Sequence, residues 1–147
     1  MKVFGIGLPR TGTTSLAEAL SMLGFCSNHS CCILQNNNEV QEETALVDNA
    51  LYRTYTELPE DSLFILTVRE SDQWKKSIAR FDNVPDDIPD MNEYINEAVS
   101  YFKNVGLENR LLVINIFEEN NVMDKLSSFL CINPIFDSFP HKNGAIK

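Results

Sequence analysis

Apolar positions along this chain fall into two spacings, short continuous runs and runs that repeat every three or four residues. Val3 to Gly7 is a short apolar run ending in glycine, which predicts a buried strand. From Thr13 to Leu23 the spacing turns helical: Leu16, Leu20 and Leu23 share one face, and Gly24 follows as a stop. Residues 25–43 are polar and show neither spacing, and Asn36-Asn37-Asn38 marks a loop. Thr44 to Val47 predicts a second short strand, followed by Asp48. Leu51, Tyr55 and Leu58 then predict a short helix ended by Pro59.

The strongest strand is Leu63-Phe-Ile-Leu-Thr-Val68, nearly continuous in apolar residues as a strand buried on both faces must be. Ser71 is a candidate cap for the next helix, whose stripe is Trp74, Ile78 and Phe81. A loop with Pro85 and Pro89 follows. Asn92 to Val105 predicts a helix stopped by Gly106, Leu111 to Phe117 a strand, and Val122 to Leu130 a last helix. Strands alternating with helices predict an α/β fold, a three-layer α/β/α sandwich around a mainly parallel sheet. No repeat or low-complexity linker divides the chain, so residues 1–147 read as a single domain. In such sheets ligands sit beyond the carboxyl ends of the strands. That rule groups Gly7–Thr14, Asp48 and Arg69, each just after a predicted strand.

The first of these places has its own chemistry. A strand-to-helix turn presents backbone N–H groups and a positive helix end to an anion. In Leu8-Pro-Arg-Thr-Gly-Thr-Thr-Ser15, Gly12 permits close backbone approach, and Thr11, Thr13, Thr14 and Ser15 add hydroxyls. Arg10 adds a fork suited to phosphate or sulfate oxygens. Against the triphosphate-binding pattern G-x-x-x-x-G-K-[ST], Gly7, Gly12 and Thr14 fit, but Thr13 stands at the lysine position. The charge expected at the β- and γ-phosphates is missing, and the basic group has moved to Arg10.

Pro9-Arg-Thr-Gly-Thr-Thr14 resembles the phosphosulfate-binding loop of the sulfotransferases, Pro-Lys/Arg-Ser/Thr-Gly-Thr-Thr. That family uses 3′-phosphoadenosine 5′-phosphosulfate as sulfuryl donor and releases adenosine 3′,5′-bisphosphate. The resemblance implies that Pro9, Arg10, Thr11, Gly12, Thr13, Thr14 and Ser15 hold the donor, with Arg10 at the transferring group. The family also has an arginine at a strand end and, eight residues later, a serine that joins it at the 3′-phosphate. Arg69 and Ser77 match that spacing. Phe139-Pro-His-Lys-Asn143 is similar to a late basic segment that closes over the nucleotide, which makes Lys142 and Asn143 further donor-binding candidates, with His141 beside them. Trp74 reads as core.

A base for the acceptor is less evident. The histidine that many sulfotransferases carry after the second strand is replaced here by Leu46-Val-Asp-Asn-Ala-Leu51. Asp48 is the first candidate base, able also to cap the following turn, and His29 the second. The chain is short for the family, so large acceptor-binding insertions are missing. The acceptor is expected to be a small molecule or a carbohydrate, with residues 82–110 helping to form its site. Two alternatives stay open: a P-loop kinase or NTPase, and a non-catalytic nucleotide-binding module.

Charge narrows the partners. The formal net charge of −9 gives no basic footprint for nucleic acid, while leaving room for a local basic pocket. There is no apolar run of membrane-spanning length and no signal peptide, so no membrane partner and a cytoplasmic location are expected. Cys26, Cys31, Cys32 and Cys131 then read as free thiols, and no metal is expected, since Cys131 has no second ligand beside it. No motif sets an oligomeric state.

Overall fold

A computed structural model describes residues 2–28, 44–48, 50–82 and 84–131. Five strands form one all-parallel sheet in the order β2-β3-β1-β4-β5. The strands are β1 (Lys2–Gly5), β2 (Cys26–Asn28), β3 (Thr44–Val47), β4 (Leu63–Val68) and β5 (Leu111–Asn115). The helices are α1 (Thr13–Met22), α2 (Ser71–Ala79), α3 (Met91–Asn104) and α4 (Val122–Leu130). A parallel sheet must be covered on both sides, and two apolar clusters do this. On one face Leu16, Ala19 and Leu20 of α1 and Val122, Met123, Leu126 and Leu130 of α4 pack on Val3, Val47, Ile65 and Ile114. On the other, Trp74 of α2 and Met91, Tyr94, Ala98 and Phe102 of α3 pack with Tyr52 and Tyr55 on Ile6, Phe64 and Leu66. The predicted three-layer α/β/α architecture is therefore the one observed.

The differences from the sequence reading are local. β2 is an extra strand within the segment that showed no spacing. It joins the sheet edge by backbone pairing of Cys26, Ser27 and Asn28 with Thr44, Ala45 and Leu46. The short helix after β3 is instead two 3-10 turns, Leu51–Arg53 and Tyr55–Glu57. Ser71 does not cap α2. The cap is Glu70, whose carboxylate accepts from the Asp72 and Gln73 amides and so satisfies two donors where a serine hydroxyl satisfies one. β5 stops at Asn115, because the Asn115 side chain accepts from the Phe117 and Glu118 amides and turns the chain.

The predicted stops at Gly24 and Gly106 both hold. Each glycine has φ near +100° or +78° and sits in a Schellman motif, with Phe25 N–H donating to Leu20 O and Leu107 N–H to Phe102 O. No helix among the described residues is long and apolar enough to cross a membrane.

Candidate functional site

Register brings the predicted neighbours to one sheet edge. Gly5 of β1 pairs with Val47 of β3 and with Ile65 of β4. Asp48 and Arg69, each just past a strand end, therefore flank the loop that leaves β1. The loop enters α1 through Gly12, the N-cap residue, at φ 96°. Arg10 also lies in the left-handed region, at φ 69°. Alternating left- and right-handed residues turn successive N–H groups toward one side, the geometry of an anion nest. The first turns of α2, α3 and α4 carry Asp72, Glu93 and Asp124, but the first turn of α1 has no carboxylate to offset its positive end.

Gly7 has a purpose that the phosphate pattern alone does not disclose. A Cβ there would lie 2.0 Å from Thr67 Oγ1 and 2.9 Å from Thr67 O. The close approach lets Thr11 Oγ1 lie 2.7 Å from Thr67 Oγ1 while it donates to Leu8 O at 2.7 Å. The loop is thus bolted to β4 beneath the helix entrance.

Around the loop the cations converge. Arg10 Nε donates to Ser77 Oγ at 2.9 Å, and Arg69 donates to the Arg10 carbonyl at 3.1 Å. The sequence reading set Arg10 at the transferring group and Arg69 with Ser77 at a second phosphate; the structure ties these two places into one network. Aromatic faces back both guanidinium groups, Phe81 at 5.3 Å from Arg10 and Phe117 at 4.0 Å from Arg69. Neither arginine pairs with a carboxylate among the described residues. Arg69 Nε is buried with no hydrogen-bond partner among them. Burial, and then the charges of Arg10 and Arg80, push the Arg69 guanidinium below its ordinary value. A cationic cluster with an unsatisfied buried donor, and with no carboxylate paired to Arg10 or Arg69 among the described residues, fits a multiply charged anion.

The other predicted residues are placed as follows. Thr11, Thr13 and Ser15 are buried, and Thr14 is half-buried at the start of α1. Pro9 is buried, its carbonyl accepting from Trp74 Nε1 at 2.8 Å, so Trp74 is core with its polar end on the loop. Asp48 Oδ1 accepts from the Ala50 amide at 2.9 Å, a local turn ahead of the first 3-10 turn, whose own N-cap is Ala50 without a side-chain cap. His29, His141, Lys142, Asn143, Cys31 and Cys32 lie outside the described residues. Cys131 is an exposed free thiol. Among the described residues no group of three or more His, Cys, Asp or Glu is arranged to hold a metal.

Thr67, Arg80, Phe81 and Phe117 surround the loop and its arginines; of these Phe81 was expected only in the stripe of the helix after β4 and Phe117 only at a strand end, yet Phe81 lies past the end of α2 and Phe117 past the end of β5. Thr67 carried one available signal, a lone hydroxyl inside an otherwise apolar strand. Arg80 carried another, its place one helical turn after Ser77.

Compared with known families, residues 2–61 match the sulfotransferase domain. The match takes in the loop and Asp48 and stops before Arg69 and Ser77. No curated protein matches the chain.

Proposed function

We propose, from the match of residues 2–61 to the sulfotransferase domain, that the chain moves a sulfuryl group from 3′-phosphoadenosine 5′-phosphosulfate to a hydroxyl or amine of a small-molecule or carbohydrate acceptor. The observation that carries the donor assignment is the Arg10–Ser77–Arg69 network. A nucleotide with phosphate at two ends needs two anion sites close together, and here one hydrogen bond joins them. When bound, the donor supplies the activated sulfuryl group. The chain's own residues supply position and charge.

In this reading the N–H groups entering α1 and the hydroxyls of Thr13, Thr14 and Ser15 surround the 5′-phosphosulfate, while the buried Thr11 hydroxyl, held between Leu8 O and Thr67 Oγ1, anchors the loop from below instead of touching the donor. Arg69 and Ser77 take the 3′-phosphate. The Ser77 hydroxyl accepts from Arg10, which leaves its own proton to donate to a phosphate oxygen. Arg10 stands between the two and offsets charge at the transferring end. Asp48 is the proposed base: its carboxylate already accepts from the Ala50 amide and has a second oxygen for the acceptor proton. His29 is the second candidate for this step.

Titration calorimetry with adenosine 3′,5′-bisphosphate and with ATP tests the donor. The bisphosphate should bind the more tightly of the two, and Arg69→Ala should weaken it by about tenfold to a hundredfold, the loss of a charge-assisted hydrogen bond. Equal or tighter ATP binding, unchanged in Arg69→Ala, would return the chain to the kinase or NTPase reading.

A further inference from the structure

An anion-binding loop works only if its N–H groups face the anion and its carbonyl oxygens face away. In this chain side chains hold four carbonyls of the loop and its approach, three of them from outside the loop. Ile6 O accepts from Tyr94 Oη at 2.6 Å, and Pro9 O from Trp74 Nε1 at 2.8 Å. Leu8 O accepts from Thr11 Oγ1, and Arg10 O from Arg69. Two of these donors, Trp74 and Tyr94, come from α2 and α3 on the sheet face opposite α1, and their polar ends are taken up by these carbonyls. Both are almost wholly buried, at 4% and 2% exposure. Pro9 has no N–H, so its carbonyl is its only polar backbone group, and fixing that carbonyl fixes the plane of the Pro9–Arg10 peptide. That peptide leads into the left-handed Arg10.

We infer that Trp74 and Tyr94 are positioning residues of the donor loop, locking the Pro9 and Ile6 carbonyls outward so that the loop amides stay aimed at the phosphosulfate. This rests on the donor-loop reading above. Without the locks each carbonyl is a buried acceptor lacking a partner, and the peptide gains by rotating toward water or toward the nest. Rotation into the nest sets a partial negative charge against the anion. The fraction of molecules with a competent loop falls, and apparent affinity falls by the same factor. Burial, with Tyr55 and Glu97 close by, pushes the Tyr94 phenol well above its ordinary range, so it remains a donor at any working pH.

The test uses Trp74→Phe and Tyr94→Phe, each of which removes one donor and keeps an aromatic ring. Tyr55→Phe is the control. It deletes a hydroxyl from the same aromatic cluster, but that hydroxyl bonds Glu97 and not the loop. The probe is inorganic pyrophosphate, followed by calorimetry or phosphorus NMR, with thermal unfolding measured alongside. Pyrophosphate affinity should fall by about tenfold in Trp74→Phe and in Tyr94→Phe, as for one unsatisfied buried acceptor. Tyr55→Phe should lower the melting temperature and leave affinity unchanged. Wild-type affinity in either loop-facing variant, or an equal loss in Tyr55→Phe, overturns the inference. Pyrophosphate carries no nucleoside, so a wild-type protein that binds it but not adenosine 3′,5′-bisphosphate would sink the donor assignment and leave the lock standing. If one loop-facing variant does not fold, the other decides.

Discussion

At Gly7 the tolerance for a side chain is set by β4. A methyl group would meet the Thr67 hydroxyl, which Thr11 holds in place, and the Thr67 carbonyl at 2.9 Å, which is backbone. Gly7→Ala is therefore expected to cost about 1–3 kcal/mol, the range for overpacking, as measured by urea denaturation. Arg53 and Asp87 show a second, electrostatic dependence. Arg53 donates to both Asp87 oxygens at 2.8 Å, and Tyr52 Oη donates to one. The hydrogen bonds from Arg53 and then Tyr52 hold the Asp87 carboxyl down at about 2. Because the folded value lies below the unfolded one, the stabilising contribution is present above the ordinary carboxylate range. It is lost as pH falls toward about 2. In Arg53→Ala, an NMR titration should find the Asp87 carboxyl moved up toward the ordinary carboxylate value. Both side chains are largely exposed, so the effect on stability is small. At this scale the nearness of Arg69 and Ser77 to the loop was legible from their spacing, since strand end and helical turn repeat at known intervals. The Trp74 N–H was not. Sequence periodicity reports which face a side chain takes, and the acceptor for its polar end lies 65 positions away.

Among the elements, α4 shows the clearest correspondence between pattern and structure. Its predicted bounds, Val122 to Leu130, are the observed ones, and Val122, Met123, Leu126 and Leu130 form its buried stripe. Leu126 has no exposed surface. Leu126→Ala should cost about 2–5 kcal/mol in chemical denaturation, the range for a large-to-small core change, with pyrophosphate affinity retained. β2 stands at the other extreme. Cys-Ser-Asn has no apolar run and no alternation, and the segment is a strand because β3 offers it an unpaired edge. The turns after β3 miss a full helix for a related reason. Tyr52 and Tyr55 are both buried against Tyr94, and two 3-10 turns bring both rings to that face.

Across the whole molecule, a formal net charge of −9 surrounds a local cluster of Arg10, Arg69 and Arg80. Long-range repulsion and short-range attraction then act on different steps of anion binding. The Debye length is roughly 10 Å at 0.1 M salt, so added salt screens the distant field first. The association rate of adenosine 3′,5′-bisphosphate should hold or rise from about 0.02 to 0.2 M salt, while dissociation quickens. Trp74 is the chain's one tryptophan and lies under the loop, so stopped-flow fluorescence reports on this directly. An association rate that falls steeply with salt would mean that the cationic cluster dominates at a distance as well.

Hydrophobic spacing by itself determined the alternation of strands and helices, and with it a parallel sheet covered on both faces. It did so because burial on two sides leaves strands as continuous apolar runs and helices as stripes. The loop from Pro9 to Thr14 was legible as a candidate anion site because glycine, hydroxyls and one arginine at a strand-to-helix turn have few other uses. Only the tertiary structure decided how that loop is held. Its carbonyls meet donors from α2, α3 and the end of β4, its Thr11 meets Thr67, and Arg10 reaches Ser77 across the gap. These contacts join residues far apart in the chain, and such partners are chosen by sheet order and register, which no local spacing encodes.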